Sequence, residues 1–370
     1  MNPNTPLQSR ANPHYTRFDL DDGWGIRLDS EGRWCSYRQA ESFYRRTLRD
    51  DVVLNNRLLG ESERATIDAQ ITTMLTRCCE QIHDPGLKPQ LLGEYRELQR
   101  LMQLGLQRQR EGVRTTDLFD QTYAELVPIL PPERYRDIVV MPATGCPNAR
   151  CSFCAFYQNA PFKPASLDAF NLHLQAVRQL FGASIEDRNG VFLGSANALA
   201  LPQKKILPML ELVHQFFGSR KRGVASFFDP EHAPRRKQVD WQTLADAGLS
   251  QVIIGLETGV PELRLSIGKS DQLKVLSDAI ALIKQAGIRV ALTLLMGIGK
   301  QAEATYQREI TTAFIGGLEL DARDIVYLSP LTGSDWRDLD QHQDAFKRFI
   351  NQHSNARTRH YNMEKFHYYC

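Results

Sequence analysis

The chain has 370 residues, 42% hydrophobic and 24% charged, which excludes a largely disordered protein and fits one large domain with appendages or two domains. No apolar run reaches the ~18 residues of a membrane span, and Met1 to Tyr15 lacks the apolar stretch of a secretory signal, so a cytoplasmic protein with no membrane partner is expected. The 45 basic and 43 acidic residues leave a formal charge of +2, which argues against a dedicated nucleic-acid coat and leaves room for a local patch only.

Residues 1–15 are polar, contain Pro3, Pro6 and Pro13, and read as a loose arm. Residues 24–37, broken at Asp29-Ser30-Glu31-Gly32, read as a hairpin. Ile67, Ile71, Met74 and Cys78 share one helix face, so Cys78 is read as a core thiol, while Cys79 lies off the stripe. Leu91, Tyr95, Leu98 and Met102 mark a second amphipathic helix ending near Gly112. Residues 1–130 are therefore expected to be a mainly helical N-terminal region, closed by Pro131-Pro132.

Beyond the prolines, short apolar runs alternate with helical patterns. Strands are predicted at 138–141, 191–193, 224–228, 251–254, 290–296 and 324–328. Helices are predicted at 167–181, 206–217, 241–247, 273–286 and 302–314. Gly194, Gly255 and Gly297 end strands, and Gly248 and Gly287 stop helices. Residues 131–335 thus read as α/β, a partial (β/α)6 TIM-like barrel with its active face at the C-terminal strand ends. Residues 336–370 are expected to add a helix and a short tail. There Arg357, Arg359, His360, Lys365 and His367 alternate with Tyr361, Phe366, Tyr368 and Tyr369. Such a mixture suits nucleic-acid binding, and packing over the barrel mouth is an equal alternative.

Seven cysteines, an odd number without an export signal, argue against a disulfide framework. Three of them stand in Cys146-Pro-Asn-Ala-Arg-Cys151-Ser-Phe-Cys154, a C-x4-C-x2-C loop directly after the first strand of the series. Close thiolates suit a soft metal. Zinc in a closed site needs a fourth ligand, and the nearest downstream histidine is His173. A [4Fe–4S] cluster is normally held by four cysteines, so three leave one iron open to an outside ligand. The plain alternative is three core thiols in a tight loop; the flanking Gly145 and Pro147 weigh against it.

This loop, with Phe153 just before its last cysteine, resembles that of the radical S-adenosylmethionine (radical SAM) superfamily. The usual family spacing is C-x3-C-x2-C, and variants with a longer first gap include a C-x4-C-x2-C group. Four later strand ends resemble the family in order: Gly194-Ser195-Ala196, where the family has a Gly-Gly-Glu-like turn; Val252-Ile253-Ile254-Gly255-Leu256-Glu257; Thr293-Leu294-Leu295-Met296-Gly297-Ile298-Gly299; and Leu328-Ser329-Pro330. The family glutamate is absent from the first of these. The resemblance covers residues 135–332.

The resemblance implies a [4Fe–4S] cluster on Cys146, Cys151 and Cys154, with S-adenosylmethionine chelating the open iron through its amine and carboxylate. It implies reductive cleavage of that cofactor to methionine and a 5′-deoxyadenosyl radical, which takes hydrogen from the substrate. By the same match, cofactor contacts fall to Phe153, Gly194, Ser195, Ala196, Ser226, Glu257, Leu295 and Ser329. Asn148 and Arg150 are candidates for hydrogen bonds that tune the cluster. The implied partners are a small-molecule substrate and an electron donor such as flavodoxin or ferredoxin. Tyr157, Asp229, His232, Arg235, Arg236 and Trp336 are the candidate substrate contacts. Cys35, Cys78, Cys79 and Cys370 are too scattered for a second cluster; Cys370 is a free thiol, a hydrogen donor to a radical, or without a role. Two other readings stand beside this one. The first is radical modification of tRNA or a peptide, docked on the N-terminal helices and basic tail. The second is a non-catalytic Fe–S or zinc protein.

Overall fold

The structure, a computed structural model, describes residues 7–12, 15–20, 24–80, 89–110, 115–123, 127, 129–158, 160–194, 196–362 and 366–370. They divide into two compact units. One takes Met1–Leu126, Gln175–Arg188 and His367–Cys370; the other takes Val127–Leu174 and Asn189–Phe366.

The first unit opens with sheet. Strands β1 (Leu7–Asn12), β2 (Tyr15–Leu20), β3 (Trp24–Leu28), β4 (Trp34–Gln39), β5 (Ser42–Arg46), β6 (Val52–Leu54) and β7 (Arg57–Leu58) form an antiparallel meander in chain order. The hairpin of β3 and β4 falls where the sequence predicts one. The expected loose arm is instead strand over Leu7–Asn12, paired with β2. The region is therefore not mainly helical from its start. Strands such as Tyr15–Leu20 carry arginine and aspartate beside few apolar residues, so no strand pattern is visible in the sequence. Helices α1 (Glu61–Glu80), α2 (Pro89–Arg110) and α3 (Thr115–Thr122) follow. Ile67, Ile71 and Met74 of α1 and Tyr95 and Leu98 of α2 bury with Phe18, Ile26, Leu28 and Tyr37 of the sheet. Cys79, off the predicted stripe, joins this core; the Cys78 side chain lies outside the described residues.

The second unit is a parallel sheet wound by helical crossovers. Its strands run β8 (Ile138–Val140), β11 (Val191–Leu193), β12 (Val224–Phe228), β13 (Leu249–Glu257), β14 (Arg289–Met296), β15 (Ile325–Pro330) and β16 (Arg357–His360), neighbours in that order. The short ribbon of β9 (Ala143–Thr144) and β10 (Lys163–Pro164) leaves β8. Crossovers are α4 (Leu167–Phe181), α5 (Gln203–Phe217), α6 (Gln238–Asp246), α7 (Pro261–Ser266) with α8 (Leu273–Gln285), α9 (Ala304–Gly316) and α10 (Leu339–His353). Every strand pair is parallel, for example Val191 with Ile138 and Val224, and Ile325 with Ala291 and Arg357. Strands buried on both faces read as continuous apolar runs, which is why β11 to β15 are legible. The barrel has one strand more than expected: β16 replaces the predicted loose tail. It is an edge strand of exposed arginines and histidine with a half-buried threonine, which blunts the edge and carries no apolar signal.

Polar groups close the N-terminal floor of this barrel. Arg134 is fully buried. Its guanidinium donates to Asp137 Oδ2 (2.9 Å), Gln251 Oε1 (2.9 Å) and the Arg222 carbonyl (3.2 Å). Gln251 donates in turn to Glu133 (3.0 Å), which also accepts from the Tyr327 hydroxyl. Breaking a buried ion pair leaves the partner charge uncompensated. Arg134→Met is therefore expected to cost about 3–5 kcal/mol, measured as a shift in the urea midpoint. A loss below about 1 kcal/mol, the range of exposed pairs, would contradict this reading of the floor.

Candidate active site

The thiol loop leaves the C-terminal end of β8. Gly145 turns the chain at φ +69°, where a Cβ would collide with the Pro161 carbonyl. Cys146 bridges to Pro161, and its amide donates to the Ala160 carbonyl at 3.1 Å. The Cys154 amide donates to the Cys151 carbonyl (3.2 Å), and the Ser152 amide ties the loop to the Ile267 carbonyl (3.1 Å). All three thiols are half-buried. Asn148 is 6% exposed and donates through Nδ2 to Cys151 Sγ and to the Gly268 carbonyl, both at 3.1 Å. Arg150 is exposed. Burial pushes the Cys146 thiol up and the Cys151 thiol up to about 11, so each keeps its proton until a metal displaces it.

Gly268 was not visible as a site residue in the sequence. It lies at φ +79°, and a Cβ there would stand 2.5 Å from the Arg150 carbonyl oxygen and 3.3 Å from Cys151 Cα. Gly268→Ala combines that clash with left-handed strain of roughly 1–3 kcal/mol. We expect reconstituted iron per chain to fall by half or more, with an unchanged far-ultraviolet dichroism spectrum. Full iron loading of the variant would show that the loop does not depend on this approach.

The thiols face a cavity at the C-terminal strand ends, which Phe153, Ala196, Glu257, Leu295 and Ser329 also line. Leu295 and Phe153 pack in one apolar cluster with Ile267 and Ile298. Gly194, at the end of β11, backs onto Met141, where a Cβ would clash with the sulfur. Ser226 is fully buried between strands, its one O–H within reach of the Leu193 (3.2 Å) and Phe227 (2.9 Å) carbonyls, and it does not line the cavity. Ser195 lies outside the described residues.

Glu257 sits at φ +62°, where the register between β13 and β14 skips a residue after Gly255. Such a bulge re-aims side chains, and strain of this kind gathers at functional sites. Gly255 leaves the space into which the Glu257 carboxylate folds. Lys269 is the residue the sequence reading missed. It lines the cavity, pairs with Asp229 Oδ2 at 3.4 Å, and feels Glu257 and Cys151. Burial opposes its charge, but Asp229 and Glu257 outweigh burial and hold the ammonium above the ordinary lysine range. Burial likewise opposes the Asp229 charge, yet Lys269 and the His232 bond keep it below the usual carboxylate range. Burial raises Glu257, with Lys269 and Arg264 opposing.

Of the candidate substrate contacts, Tyr157 and Asp229 line the cavity. His232 Nδ1 stands 3.1 Å from Asp229 Oδ2. Arg235 is exposed and is absent from the cavity wall. Arg236 is committed elsewhere: it donates to the Leu199 (2.8 Å) and Leu201 (2.7 Å) carbonyls. The Trp336 indole donates to the Gly299 carbonyl (2.8 Å). Neither lines the cavity. The tail aromatics Phe366, Tyr368 and Tyr369 are buried and unavailable for base stacking, Tyr361 is buried with one edge on the cavity wall, and Lys365 lies outside the described residues. Cys370 is buried with Cys35 in the first unit and does not line the cavity.

Residues 140–308 match the sequence profile described as the Radical SAM superfamily, a span holding the thiol loop and the ends of β11 to β14. The chain carries a radical SAM domain. The radical SAM family uses a [4Fe–4S] cluster and S-adenosylmethionine, and its members are enzymes that need a reductant. Solved structures similar to the chain include the cobalamin-dependent S-adenosylmethionine radical enzyme OxsB with aqua-cobalamin and S-adenosylmethionine bound. It is 17% identical over 59% of this chain and 31% of its own, at a TM-score of 0.40. Coproporphyrinogen III oxidase (HemN) from Escherichia coli is 15% identical over 64% and 54%, at 0.42. Streptococcus suis SuiB is 12% identical over 87% and 71%, at 0.43. The chain thus spans about a third of the length of OxsB. No curated protein matches it.

The residues present fit what a radical SAM domain holds. S-adenosylmethionine carries an ammonium, a sulfonium and one carboxylate; the charged cavity residues are two carboxylates and one ammonium, Asp229, Glu257 and Lys269. The Ser329 hydroxyl and Asn197 Oδ1 are buried without a partner and both residues line the cavity. Buried polar atoms normally find partners, so both are open to a ligand. The thiols suit a cluster better than a single ion. A tetrahedral zinc at about 2.3 Å from each sulfur needs sulfurs about 3.8 Å apart. Among the described residues the group of three ligand atoms that converges within 4.8 Å is Asp229, Glu231 and His232, not the cysteines. Those three are committed to one another and to Lys269 and Arg264 (2.5 Å from Glu231).

Proposed function

We propose that the chain is a radical SAM enzyme that acts on a small molecule, with Cys146, Cys151 and Cys154 as the cluster ligands. When bound, the cluster and S-adenosylmethionine together supply reductive cleavage to methionine and a 5′-deoxyadenosyl radical that takes hydrogen from the substrate. This chain's residues bind and orient. Lys269 pairs with the cofactor carboxylate, while Asp229 and Glu257 face its sulfonium and its amine. Ser329, Leu295 and Phe153 enclose the adenosine. Gly194, Ser195 and Ala196 are the residues assigned to its methionine end. Asn148 holds the Cys151 sulfur by an N–H···S bond that tunes the potential. An electron donor such as flavodoxin or ferredoxin supplies the electron, and the setting is cytoplasmic. No described helix is long and apolar enough to cross a membrane.

The observation that carries this reading is the loop of three half-buried thiols opening on a cavity whose charges mirror those of the cofactor. The buried tail aromatics and the lack of an unpaired cation on the cavity wall favour a small molecule over tRNA. The test is paramagnetic resonance on anaerobically reconstituted, reduced protein. A cluster signal that changes when S-adenosylmethionine is added is expected, because the cofactor ligates the open iron. A signal indifferent to the cofactor would contradict an open iron.

A further inference from the structure

The cavity wall has more surface than the cofactor reading uses. Beside the thiols it is lined by Ile129, Phe156, Tyr157, Phe227 and Tyr361. Phe227 is partly exposed while its strand neighbours Ser226 and Phe228 are buried. The Tyr361 hydroxyl donates to the Leu130 carbonyl at 2.8 Å, so its oxygen is engaged and only the edge of its buried ring meets the cavity. Phe156 is 47% exposed and lines the cavity, so its ring is accessible to a ligand there.

Charge narrows the class of that ligand. The charged residues on the wall are Asp229, Glu257 and Lys269, with no arginine, and the proposed cofactor carboxylate takes Lys269. A phosphate or a second carboxylate would enter with no cation to meet it, and burying an unpaired anion is costly. One polar group outside the proposed cofactor set is unpartnered. Asn197 is 1% exposed; its Nδ2 donates to the Asp229 carbonyl at 3.0 Å, which leaves Oδ1 without a donor.

We propose, resting on the radical SAM reading above, that the substrate is a neutral, ring-bearing apolar small molecule without phosphate, seated on Phe156, Phe227 and Tyr361, whose O–H or N–H donates to Asn197 Oδ1. Aromatic walls bind flat apolar groups by area and offset stacking. The buried Asn197 acceptor sets orientation, and a ligand lacking the donor leaves it unsatisfied.

Three probes separate these features: 1-naphthol, 1-methoxynaphthalene and 1-naphthyl phosphate. Each is measured by anaerobic equilibrium dialysis against the reconstituted protein with S-adenosylmethionine present. The naphthol is expected to bind saturably. Capping its hydroxyl should weaken binding roughly tenfold, the scale of a buried hydrogen bond left unmade, and the phosphate should not bind. Phe227→Ala, and the exposed Phe156→Ala in case the first fails to fold, should each weaken naphthol binding several-fold with an unchanged melting temperature in the second. Phosphate binding as tight as naphthol, no saturable naphthol binding, or indifference to both variants would overturn the proposal. 5′-Deoxyadenosine formed with dithionite is read on the same samples. Its absence beside intact naphthol selectivity would sink the radical reading and leave the ligand class standing.

Discussion

Cys151→Ala is expected to abolish both the broad visible absorbance of the reconstituted protein and its cleavage of S-adenosylmethionine. The loop offers three sulfurs, so losing one leaves two ligands, too few to hold a cluster. The loss should exceed the roughly 10–100-fold typical of an outer-shell substitution by a wide margin. Asn148→Ala supplies the contrast. It removes the N–H···S bond to Cys151 and the bond to the Gly268 carbonyl while leaving every thiol in place. It should keep most of the iron, shift the reduction potential, and slow cleavage by roughly 10–100-fold. Iron content and 5′-deoxyadenosine yield on the two variants check this. A Cys151→Ala protein that still cleaves the cofactor would end the ligand assignment.

Lys269→Met is expected to be the most damaging change away from the thiols. Lys269 is a buried cation facing two carboxylates. Without it Asp229 keeps His232 and the Glu231 amide but loses its main opposing charge. Removing one partner of a buried pair costs about 3–5 kcal/mol, and the cofactor carboxylate loses its counter-ion. Affinity for S-adenosylmethionine should fall about a hundredfold or more, on the scale of about 3 kcal/mol. Asp229→Asn with Lys269→Met should recover part of the stability, since Asp229 then carries no charge and Glu257 keeps Arg264 as its opposing cation, without restoring cofactor affinity. The sign in pH follows from Asp229. Its carboxyl is depressed in the fold, so its contribution is complete above the unfolded value of about 3.9 and is lost as pH falls through the lower folded value. Wild-type protein should therefore weaken on acidification more than Lys269→Met, in urea unfolding series below about pH 4. Equal acid sensitivity in the two proteins would contradict the pairing.

The β/α series is legible because doubly covered parallel strands are apolar throughout, as Val252 to Ile254 and Val290 to Leu292 are, with glycines where the chain turns. β16 is hidden because an edge strand of Arg357, Thr358, Arg359 and His360 has no apolar face to display. The N-terminal meander is hidden for a related reason: β5, Ser-Phe-Tyr-Arg-Arg, has no fully buried position and alternates weakly. The thiol loop is legible from spacing alone. Lys269 and Asn197 are not, because their roles come from which loops the barrel brings to one end. A lysine in a loop normally reads as solvated. Arg236 shows the opposite error. Within Arg235-Arg236-Lys237 only the middle residue turns inward, to carbonyls of the β11–α5 connection.

The most direct test is anaerobic reconstitution with iron and sulfide, followed by dithionite and S-adenosylmethionine, with iron and 5′-deoxyadenosine measured on one preparation. About four irons per chain, as one [4Fe–4S] cluster requires, together with 5′-deoxyadenosine that vanishes in Cys151→Ala, is the predicted result. Bound zinc in place of iron, or a full iron complement that yields no 5′-deoxyadenosine, would contradict it.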